Sequence, residues 1–267
     1  MRLYLIRHQN KIHLVVNNSK AQFVRFVLYI LLFQCLIICL VNESANGQTP
    51  GNPTQIALRI VKRQAVLLDS THQLLVVFNE TPEHNSAVLV AMEKKNKVWR
   101  VISAPMPVGI GRKGFAAPHA KREGDQFSPT GFFSLGQLFC YDKVVNTRMP
   151  YIQTTSEDKW IDDPNSVDYN RHIRGETKAN SYEILKISSD EYKYCLVVEY
   201  NRNPVVKGMG SAIFLHLSEG EKPNPSAGCV VLTQKDMEGL LKWMNLESKP
   251  SILMGNEKVL MDRIRTR

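Results

Sequence analysis

The sequence lacks a dense run of lysine and arginine, although its formal net charge is +9. The first 47 residues hold five of the 34 basic residues and one of the 25 acidic residues, which leaves a net charge of +5 on residues 48–267. A mildly basic and dispersed surface is not the clustered basic patch typical of nucleic-acid-binding proteins. We therefore predict no nucleic-acid partner.

Cysteine is also scarce. Of five cysteines, Cys140, Cys195 and Cys229 follow residue 47. In an oxidising compartment an odd number leaves either an intermolecular bridge or one free thiol, and a Cys140–Cys195 disulfide with Cys229 free is one possible arrangement. Asp162 and Asp163 have no His or Cys at ligand spacing nearby, so we predict neither a metal site nor a cofactor.

No acidic residue precedes Glu43, and the five basic residues of the N-terminal region come before an apolar run at 26–41. The small residues Ala45 and Gly47 follow at the −3 and −1 positions of a cleavage site, which predicts a signal peptide over 1–47. An uncleaved anchor is the alternative, although 16 residues fall short of the roughly 20 that span a bilayer. Either interpretation predicts export to the periplasm or cell wall, with membrane contact only through an uncleaved N-terminal segment.

The remaining chain is predicted to be one mainly β domain with a few helices (α+β) over 56–256. A linker at 48–55 precedes it and a basic C-terminal tail at 257–267 follows it. The polar stretch 142–180 has no clear periodicity and is predicted to be extended loop. Short segments rich in Val, Leu and Ile predict strands, namely 56–61, 74–78, 87–93, 98–103, 182–187, 194–200, 212–217 and 251–255.

One helix is predicted after Leu232. Thr233 is a suitable N-cap, and Asp236 three residues later completes a capping-box pattern. Apolar residues at helical spacing indicate the face that this helix buries, namely Met237, Leu240, Leu241 and Met244.

Cys229 stands between Gly228 and a Val-Val-Leu run, in the stretch FLHLSEGEKPNPSAGCVVL. A buried cysteine is commonly a small core residue, and a disulfide or a nucleophile are the other possibilities. Pro223 and Pro225 make the upstream segment a turn, so the thiol lies where a loop enters a short strand. That position is compatible with a sulfur exposed to a cleft.

A thiol nucleophile needs a base to form the thiolate at neutral pH. Among the seven histidines, His216 alone lies in an apolar strand. It could equally be a core histidine with satisfied hydrogen bonds. The connection 217–228 could bring His216 beside Cys229. The spacing of the two residues suggests this pairing but does not establish it.

The stretch from Phe214 to Leu232 resembles the His…S-x-G-C motif of the L,D-transpeptidases, whose catalytic domain is called YkuD-like. Three upstream segments are similar to one branch of that family, namely VGIGRKGF…KREGDQFSPTGFFSL, WIDDPNSVDYNR and NPVVKGMGSAIFLHL. The segment after Leu232 is similar to the helix that follows the family's cysteine. The resemblance covers nearly all of residues 48–267 and implies a β-sandwich or sheet with a helix after the cysteine.

The resemblance implies that Cys229 is the nucleophile and His216 the general base. The family's thiolate attacks the carbonyl of a diaminopimelate-like residue in a peptidoglycan stem tetrapeptide, D-Ala leaves, and the acyl group passes to an amine of a second stem. The backbone N–H groups of Cys229 and Gly228 are the expected oxyanion donors. This chemistry implies a role in cell-wall biogenesis and cell shape.

The chain departs from the common family pattern at two positions. Ala227 stands where many members have His, and Val231 stands where many have Arg. Both changes leave the Cys/His chemistry intact and place the acceptor and the exact reaction in doubt. The alternatives are an L,D-carboxypeptidase or amidase that uses the same pair, or a catalytically silent wall-binding module, which would need neither residue.

Further polar residues fall within the matching segments or beside Cys229. For each, contact with substrate competes with a role in turn architecture or a surface ion pair. The candidate substrate-binding residues are Arg112, Arg122, Glu123, Asp125, Tyr169, Asn170, Arg171 and Ser226.

Overall fold

A computed structural model of the chain describes residues 3–8, 11–16, 51–262 and 264. It divides into two compact units, Met1–Gly51 and Asn52–Arg267. Within the first unit, strands β1 (Leu3–His8) and β2 (Lys11–Val16) pair as an antiparallel hairpin. The predicted apolar run at 26–41 and the cleavage site lie outside the described residues. Among the described helices, none combines the length and apolar character needed to cross a membrane.

The second unit is mainly β with a few helices, as predicted. Its helices are α1 (Pro53–Arg63), α2 (Gln234–Trp243), a short 3₁₀ helix (Leu246–Ser248) and α3 (Glu257–Met261). Its strands are β3 (Gln73–Asn79), β4 (Ser86–Lys95), β5 (Val98–Val101), β6 (Met106–Gly109), β7 (Gly131–Cys140), β8 (Tyr151–Gln153), β9 (Asp158–Ile161), β10 (His172–Arg174), β11 (Tyr182–Ile184), β12 (Tyr194–Val198), β13 (Phe214–Leu217), β14 (Val230–Leu232) and β15 (Ser251–Asn256).

The large sheet closes on itself. Its strand order is β12-β13-β14-β6-β4-β3-β15-β7-β8, with β5 paired to β4, and β12 also pairs with β7. Most neighbours are antiparallel, whereas three pairs run parallel, namely β13–β14, β3–β15 and β7–β8. Alternation along the strands sends one set of side chains to the interior of the closed sheet and the other set to its outer face.

The interior of the closed sheet is the main hydrophobic core. It receives residues from nearly every strand, including Leu75, Leu89, Leu215 and Val230, and it is closed at one end by α2. The capped helix α2 is confirmed, because Thr233 accepts a hydrogen bond from the Asp236 N–H. Its predicted apolar face is buried as expected, namely Met237, Leu240, Leu241 and Met244.

A smaller sheet lies over one part of the outer face. It consists of three antiparallel strands in the order β10-β9-β11. Trp160 of β9 and Leu185, just after β11, pack on outer-face residues of the large sheet such as Phe139 and Phe214. We call this group the outer cluster, and its full membership is Phe139, Trp160, Leu185, Cys195, Val197, Ala212, Phe214 and Cys229.

The predicted strand at 56–61 is wrong. The predicted linker over 48–55 is also wrong for residues 53–55. These residues belong to α1, which begins at Pro53 with Asn52 as its N-cap. Proline is well tolerated at the first helical position, because its missing N–H would be unpaired there anyway. Ile56, Ala57, Ile60 and Val61 recur at helical spacing and pack on β3, β4 and β15.

The C-terminal tail predicted over 257–267 is also wrong in part. Residues 257–261 form α3, capped by Asn256, and Leu260 is fully buried against α1 and the sheet. The domain therefore extends from Pro53 at least to Met261. The predicted loop 142–180 likewise contains strands β8, β9 and β10, which are too short for a clear sequence period.

The Cys140–Cys195 disulfide is not formed, and all three described cysteines are free thiols. The register explains why, because Cys140 lies opposite Tyr194 and Cys195 lies opposite Phe139. Adjacent residues of a strand point to opposite faces. Cys140 therefore faces the interior core, whereas Cys195 belongs to the outer cluster.

Candidate active site

Cys229 and His216 lie on the same face of the large sheet. In the parallel pair β13–β14, Leu215 is opposite Val230 and His216 is opposite Val231. Leu215 and Val230 point into the interior core, while Phe214 and Cys229 belong to the outer cluster. Strand alternation therefore brings His216, two residues after Phe214, to the outer face that carries the thiol.

The Cys229 thiol is held by two backbone groups. Its Sγ accepts a hydrogen bond from the Phe214 N–H at 3.3 Å and donates one to the Ala212 carbonyl at 3.2 Å. Burial of the side chain is the main cause that raises the pKa of the thiol, to about 12, and the Glu183 carboxylate acts in the same direction. The protein at rest therefore holds a neutral thiol rather than a thiolate.

His216 is a neutral base in the same state. Its Nδ1 lies 2.9 Å from the Leu217 carbonyl oxygen, so Nδ1 carries the proton and donates it there. The Nε2 lone pair is then the free basic site of the ring. Burial lowers the pKa of His216 to about 4. The Tyr192 ring packs edge-on against the imidazole, with 5.2 Å between ring centroids.

Both side chains line one cavity of about 220 Å³. The cavity lies where the small sheet and the loops before β13 and β14 meet the outer face of the large sheet. Its wall combines the two residues with charged and polar groups, among them Arg112, Lys121, Glu123, Asp162, Glu183, Glu191, Tyr192, Ser211 and Asn224.

The loop before Cys229 is fixed by its own hydrogen bonds. The Ser226 hydroxyl donates to the Cys229 carbonyl at 2.7 Å and accepts from the Gly228 N–H at 3.0 Å. Gly228 has φ +156°, and a Cβ there would lie 2.9 Å from the Phe127 carbonyl oxygen. A side chain larger than hydrogen would therefore displace the loop.

These contacts correct two sequence-based predictions. The Gly228 N–H is already engaged by Ser226, so it is not a free oxyanion donor, and the Cys229 N–H is the predicted donor that remains. Ser226 lines the cavity, but its hydroxyl hydrogen-bonds to the backbone of its own loop. Its role in the structure is to shape the loop.

Of the other candidate substrate-binding residues, Arg112 and Glu123 line the cavity with Cys229. The Arg112 side chain is exposed and makes no ion pair within the described part of the chain. Glu123 accepts hydrogen bonds from the Tyr169 and Ser211 hydroxyls. The five remaining candidates do not line this cavity, namely Arg122, Asp125, Tyr169, Asn170 and Arg171.

Three of those five have structural roles. Asp125 pairs with Lys121 Nζ at 2.6 Å and accepts from backbone N–H groups of its own turn. Tyr169 is buried and donates its hydroxyl proton to Glu123. Asn170 is buried and accepts from the Trp160 indole N–H at 2.9 Å, which fixes the loop against β9. The sequence resemblance placed these residues near the site, but it could not distinguish residues that stabilise the surrounding loops from residues that contact substrate.

The cavity also contains residues that the sequence analysis did not select. Glu183 belongs to β11 of the small sheet, Asp162 directly follows β9, and Tyr192 comes from the turn before β12. They are separated by long stretches of sequence and come together only through the packing of the small sheet on the outer face. The sequence offers Asp162 only beside Asp163, without His or Cys at ligand spacing.

The resting state makes a prediction for thiol reactivity. With its pKa raised to about 12, Cys229 should react slowly with iodoacetamide at pH 7, and its alkylation rate should still be rising at pH 10. An ordinary exposed thiol, with a pKa near 8.5, would approach a plateau by then. The measurement is the alkylation rate at several pH values, followed by peptide mapping of the label.

The Cys229→Ala variant supplies the background from the other four cysteines of the chain in the same experiment. A rate on Cys229 that is already maximal at pH 6 would show a preformed thiolate–imidazolium pair. That result would contradict the neutral resting state derived from the burial of both groups.

Comparison with known proteins identifies a family. The model of YkuD, the L,D-transpeptidase catalytic domain, matches residues 75–259, which is more than half of the chain. No curated protein matches the sequence. Among solved structures, the chain is similar to the helical cell shape determining protein Pgp2 from Campylobacter jejuni, with a TM-score of 0.39 and 14% sequence identity. That match covers 74% of this chain and 50% of that one, so this chain spans about half the length of the solved protein.

Proposed function

The chain belongs to the YkuD family of L,D-transpeptidase catalytic domains, and from this we propose that it is an exported cysteine acyltransferase acting on peptidoglycan stem peptides. The observation that carries the proposal is that Cys229 and His216 line the same cavity on the outer face of the large sheet. Export is part of the proposal and rests on the basic N-terminal region and the apolar run at 26–41.

In the first step the Cys229 thiol transfers its proton to His216 as the sulfur attacks a peptide carbonyl carbon of the donor stem. A neutral imidazole with a free Nε2 lone pair can accept that proton. Because the resting thiol and imidazole are both neutral, proton transfer accompanies attack instead of preceding it. A thioester-forming tetrahedral intermediate results, with negative charge on the former carbonyl oxygen.

The oxyanion requires a hydrogen-bond donor close to the sulfur. The Cys229 N–H is suited to this, because the loop from Ser226 to Cys229 is fixed by its own hydrogen bonds. A preorganised donor of this kind contributes roughly 2.7–4 kcal/mol to stabilising the transition state. His216 then returns the proton to the nitrogen of the leaving D-Ala, the C–N bond breaks, and the acyl group stays on sulfur.

In the second step an amine or a water molecule attacks the thioester carbon. His216 accepts a proton from the attacking group, and the C–S bond breaks with return of a proton to the thiol. Attack by an amine of a second stem gives a cross-link, which is the L,D-transpeptidase reaction. Attack by water gives a tripeptide, which is the L,D-carboxypeptidase reaction.

Charged groups of the cavity wall support an ionic substrate. Arg112 has no ion-pair partner in the described part of the chain and can bind a substrate carboxylate. Lys121 lies in the same wall, but its ammonium is held by Asp125 and by the Arg122 carbonyl. Arg112 is therefore the cavity residue with a positive charge available to substrate.

Incubation with tetrapeptide-bearing muropeptides tests the proposed function. The purified full-length protein should release D-Ala, and mass analysis of the products should show cross-linked dimers. Free tripeptides without dimers would assign the carboxypeptidase reaction to the same Cys/His pair. Binding without any release of D-Ala would identify a silent wall-binding module and contradict the proposal.

A further inference from the structure

The Cys229 cavity offers few free hydrogen-bond donors for an oxyanion. The Gly228 N–H is engaged by the Ser226 hydroxyl, so the Cys229 N–H is the expected backbone donor that remains. Four carboxylates line the same cavity and disfavour a negative charge there, namely Glu123, Asp162, Glu183 and Glu191. An oxyanion in this cavity therefore needs a further donor, and a positively charged donor makes the stronger hydrogen bond.

Lys121 is a buried cation in the wall of this cavity. The residue is 4% exposed, a burial that charged side chains reach almost only when they are paired. Its Nζ donates to Asp125 Oδ1 at 2.6 Å and to the Arg122 carbonyl oxygen at 2.9 Å. An ammonium group has three N–H donors. One N–H of Lys121 is therefore left without an acceptor in the described part of the chain.

The Lys121 side chain packs against two glycines close to the thiol. Its Cγ and Cε lie 3.1 and 3.2 Å from the place where a residue other than glycine would carry its Cβ at position 210. Its Cε lies 3.8 Å from the corresponding place at Gly228. The peptide bond that follows Gly228 contains the Cys229 N–H. Because Gly210 has no side chain, Lys121 can lie beside the peptide that holds the expected oxyanion donor.

The charge of Lys121 acts on the reacting sulfur. Burial is the main cause that raises the pKa of Cys229, whereas the Phe214 N–H and the charge of Lys121 act in the opposite direction. After attack, the oxyanion is only two bonds away from the sulfur. A cation that stabilises negative charge on the sulfur therefore also stabilises negative charge on that oxygen.

The other side-chain donors of the cavity wall are less suited to this role. The Ser211 and Tyr192 hydroxyls donate to carboxylates of the wall. Asn224 is partly exposed and uncharged, and Arg112 is exposed, so it is suited to a carboxylate of the bound substrate. Donors contribute most to catalysis when they are fixed in advance and shielded from water. Lys121 combines burial, two anchoring hydrogen bonds and a positive charge.

We propose that the Lys121 ammonium is a catalytic hydrogen-bond donor to the oxyanion that forms when Cys229 attacks the substrate. The inference rests on the proposed function and adds a residue to its mechanism. As the S–C bond forms, the thiol proton passes to His216 and the π electrons of the carbonyl group move to its oxygen. That oxygen accepts from the Cys229 N–H and from Lys121. The electron pair re-forms the C=O bond when the C–N bond to D-Ala breaks, and Lys121 keeps its proton throughout.

Lys121→Met tests this role in the purified full-length protein with a synthetic tetrapeptide stem. Methionine fills much of the same space but has neither charge nor donor. The kcat for D-Ala release should fall by roughly 10²- to 10³-fold, the usual cost of losing one oxyanion donor. KM should change by less than about threefold, because the oxyanion is absent from the bound ground state. Lys121→Gln should show the same loss, and it serves as the test if the methionine variant does not fold.

Alkylation of Cys229 by iodoacetamide is the internal comparison, because this reaction forms no oxyanion. In Lys121→Met the alkylation rate at pH 9 should fall by less than about tenfold, since the Lys121 charge offsets only part of the effect of burial on the pKa of the thiol. Lys94→Met is the matched control, because Lys94 Nζ also has two acceptors, the Leu68 and Asp69 carbonyls, and lies outside the cavity. It should keep its kcat. Thermal unfolding shows which variants are folded.

Asp125→Asn separates catalysis from ion pairing. Asparagine keeps an oxygen that can accept from Lys121, so the ammonium stays in place while the ion pair is lost. A direct role of Lys121 predicts a loss of kcat below about tenfold, well short of the loss in Lys121→Met. Equal losses in Asp125→Asn and Lys121→Met would show that Lys121 only supports the turn of its partner, and would overturn the inference.

Three further outcomes would also contradict the inference. Equal falls in alkylation and in D-Ala release in Lys121→Met would show that Lys121 acts on ionisation of the thiol and not on the oxyanion. An unchanged kcat in that variant would reject the role of Lys121 and leave the proposed function standing. Absence of D-Ala release by the wild type would reject the proposed function and the role of Lys121 together.

Discussion

Replacing Cys229 with alanine is expected to abolish turnover of tetrapeptide stems. The sulfur is the atom that forms the acyl-enzyme, and no other described thiol lines the cavity. Removal of a nucleophile in other acyl-transfer enzymes costs on the order of 10⁶-fold in kcat, so the residual rate should lie below detection. The measurement is D-Ala release with the purified variant.

The variant should remain folded. Alanine leaves the Phe214 N–H without the sulfur that it contacts at 3.3 Å, which costs about 1–3 kcal/mol, a tolerable fraction of typical stability. Cys195→Ala is the matched control, because Cys195 is a buried thiol of the same outer cluster that does not line the cavity. It should lose a similar amount of stability and keep its activity. Retained turnover in Cys229→Ala would reject the nucleophile assignment.

Replacing His216 with glutamine is expected to lower kcat by roughly 10²- to 10⁴-fold, the usual contribution of a positioned general base. Glutamine fills much of the same space but cannot accept and return a proton at neutral pH. Burial lowers the pKa of His216 to about 4 in the free protein, so the wild-type kcat/KM should fall only as the pH drops towards that value. The variant should lose this dependence on the imidazole, as a pH–rate profile will show.

His172→Gln separates catalysis from packing for this second prediction. His172 is partly buried, contacts Asp158 at 2.7 Å and packs on Phe139 of the outer cluster, but it does not line the cavity. Its substitution should lower the melting temperature without changing kcat. If His216→Gln reduced stability and left kcat and its pH profile intact, His216 would be a core histidine and not the base.

The sequence was informative where local pattern decides structure. Strands β3, β4, β5, β12, β13 and β15 and the Thr233-capped helix α2 follow from local composition and capping, which depend on neighbouring residues, whereas β6, β7 and β8 were not predicted. The strand predicted over 56–61 failed because Ile and Val content outweighed the Asn-Pro start and the helical spacing of Ile56, Ile60 and Val61. The same apolar residues fit a strand or a helix, and packing against the sheet selects the helix.

In the site, too, some residues could be predicted from the sequence and others could not. Cys229 and His216 were identified by the family resemblance, and the parallel register of β13 and β14 places both on one face. Asp162 and Glu183 could not be found, because short strands without a clear period bring them to the cavity. Tyr169 and Asn170 lie in a matching segment, yet their hydrogen bonds serve the loop that surrounds the site.

The most direct test of the account is the mass of the protein during reaction with a tetrapeptide stem. Rapid quenching and peptide mapping should find the donor acyl group, the stem less its terminal D-Ala, attached through a thioester to the peptide that contains Cys229. The adduct should disappear on addition of an amine acceptor or by slow hydrolysis. Product formation without that adduct, or an adduct on another residue, would contradict the central claim that Cys229 carries the acyl group.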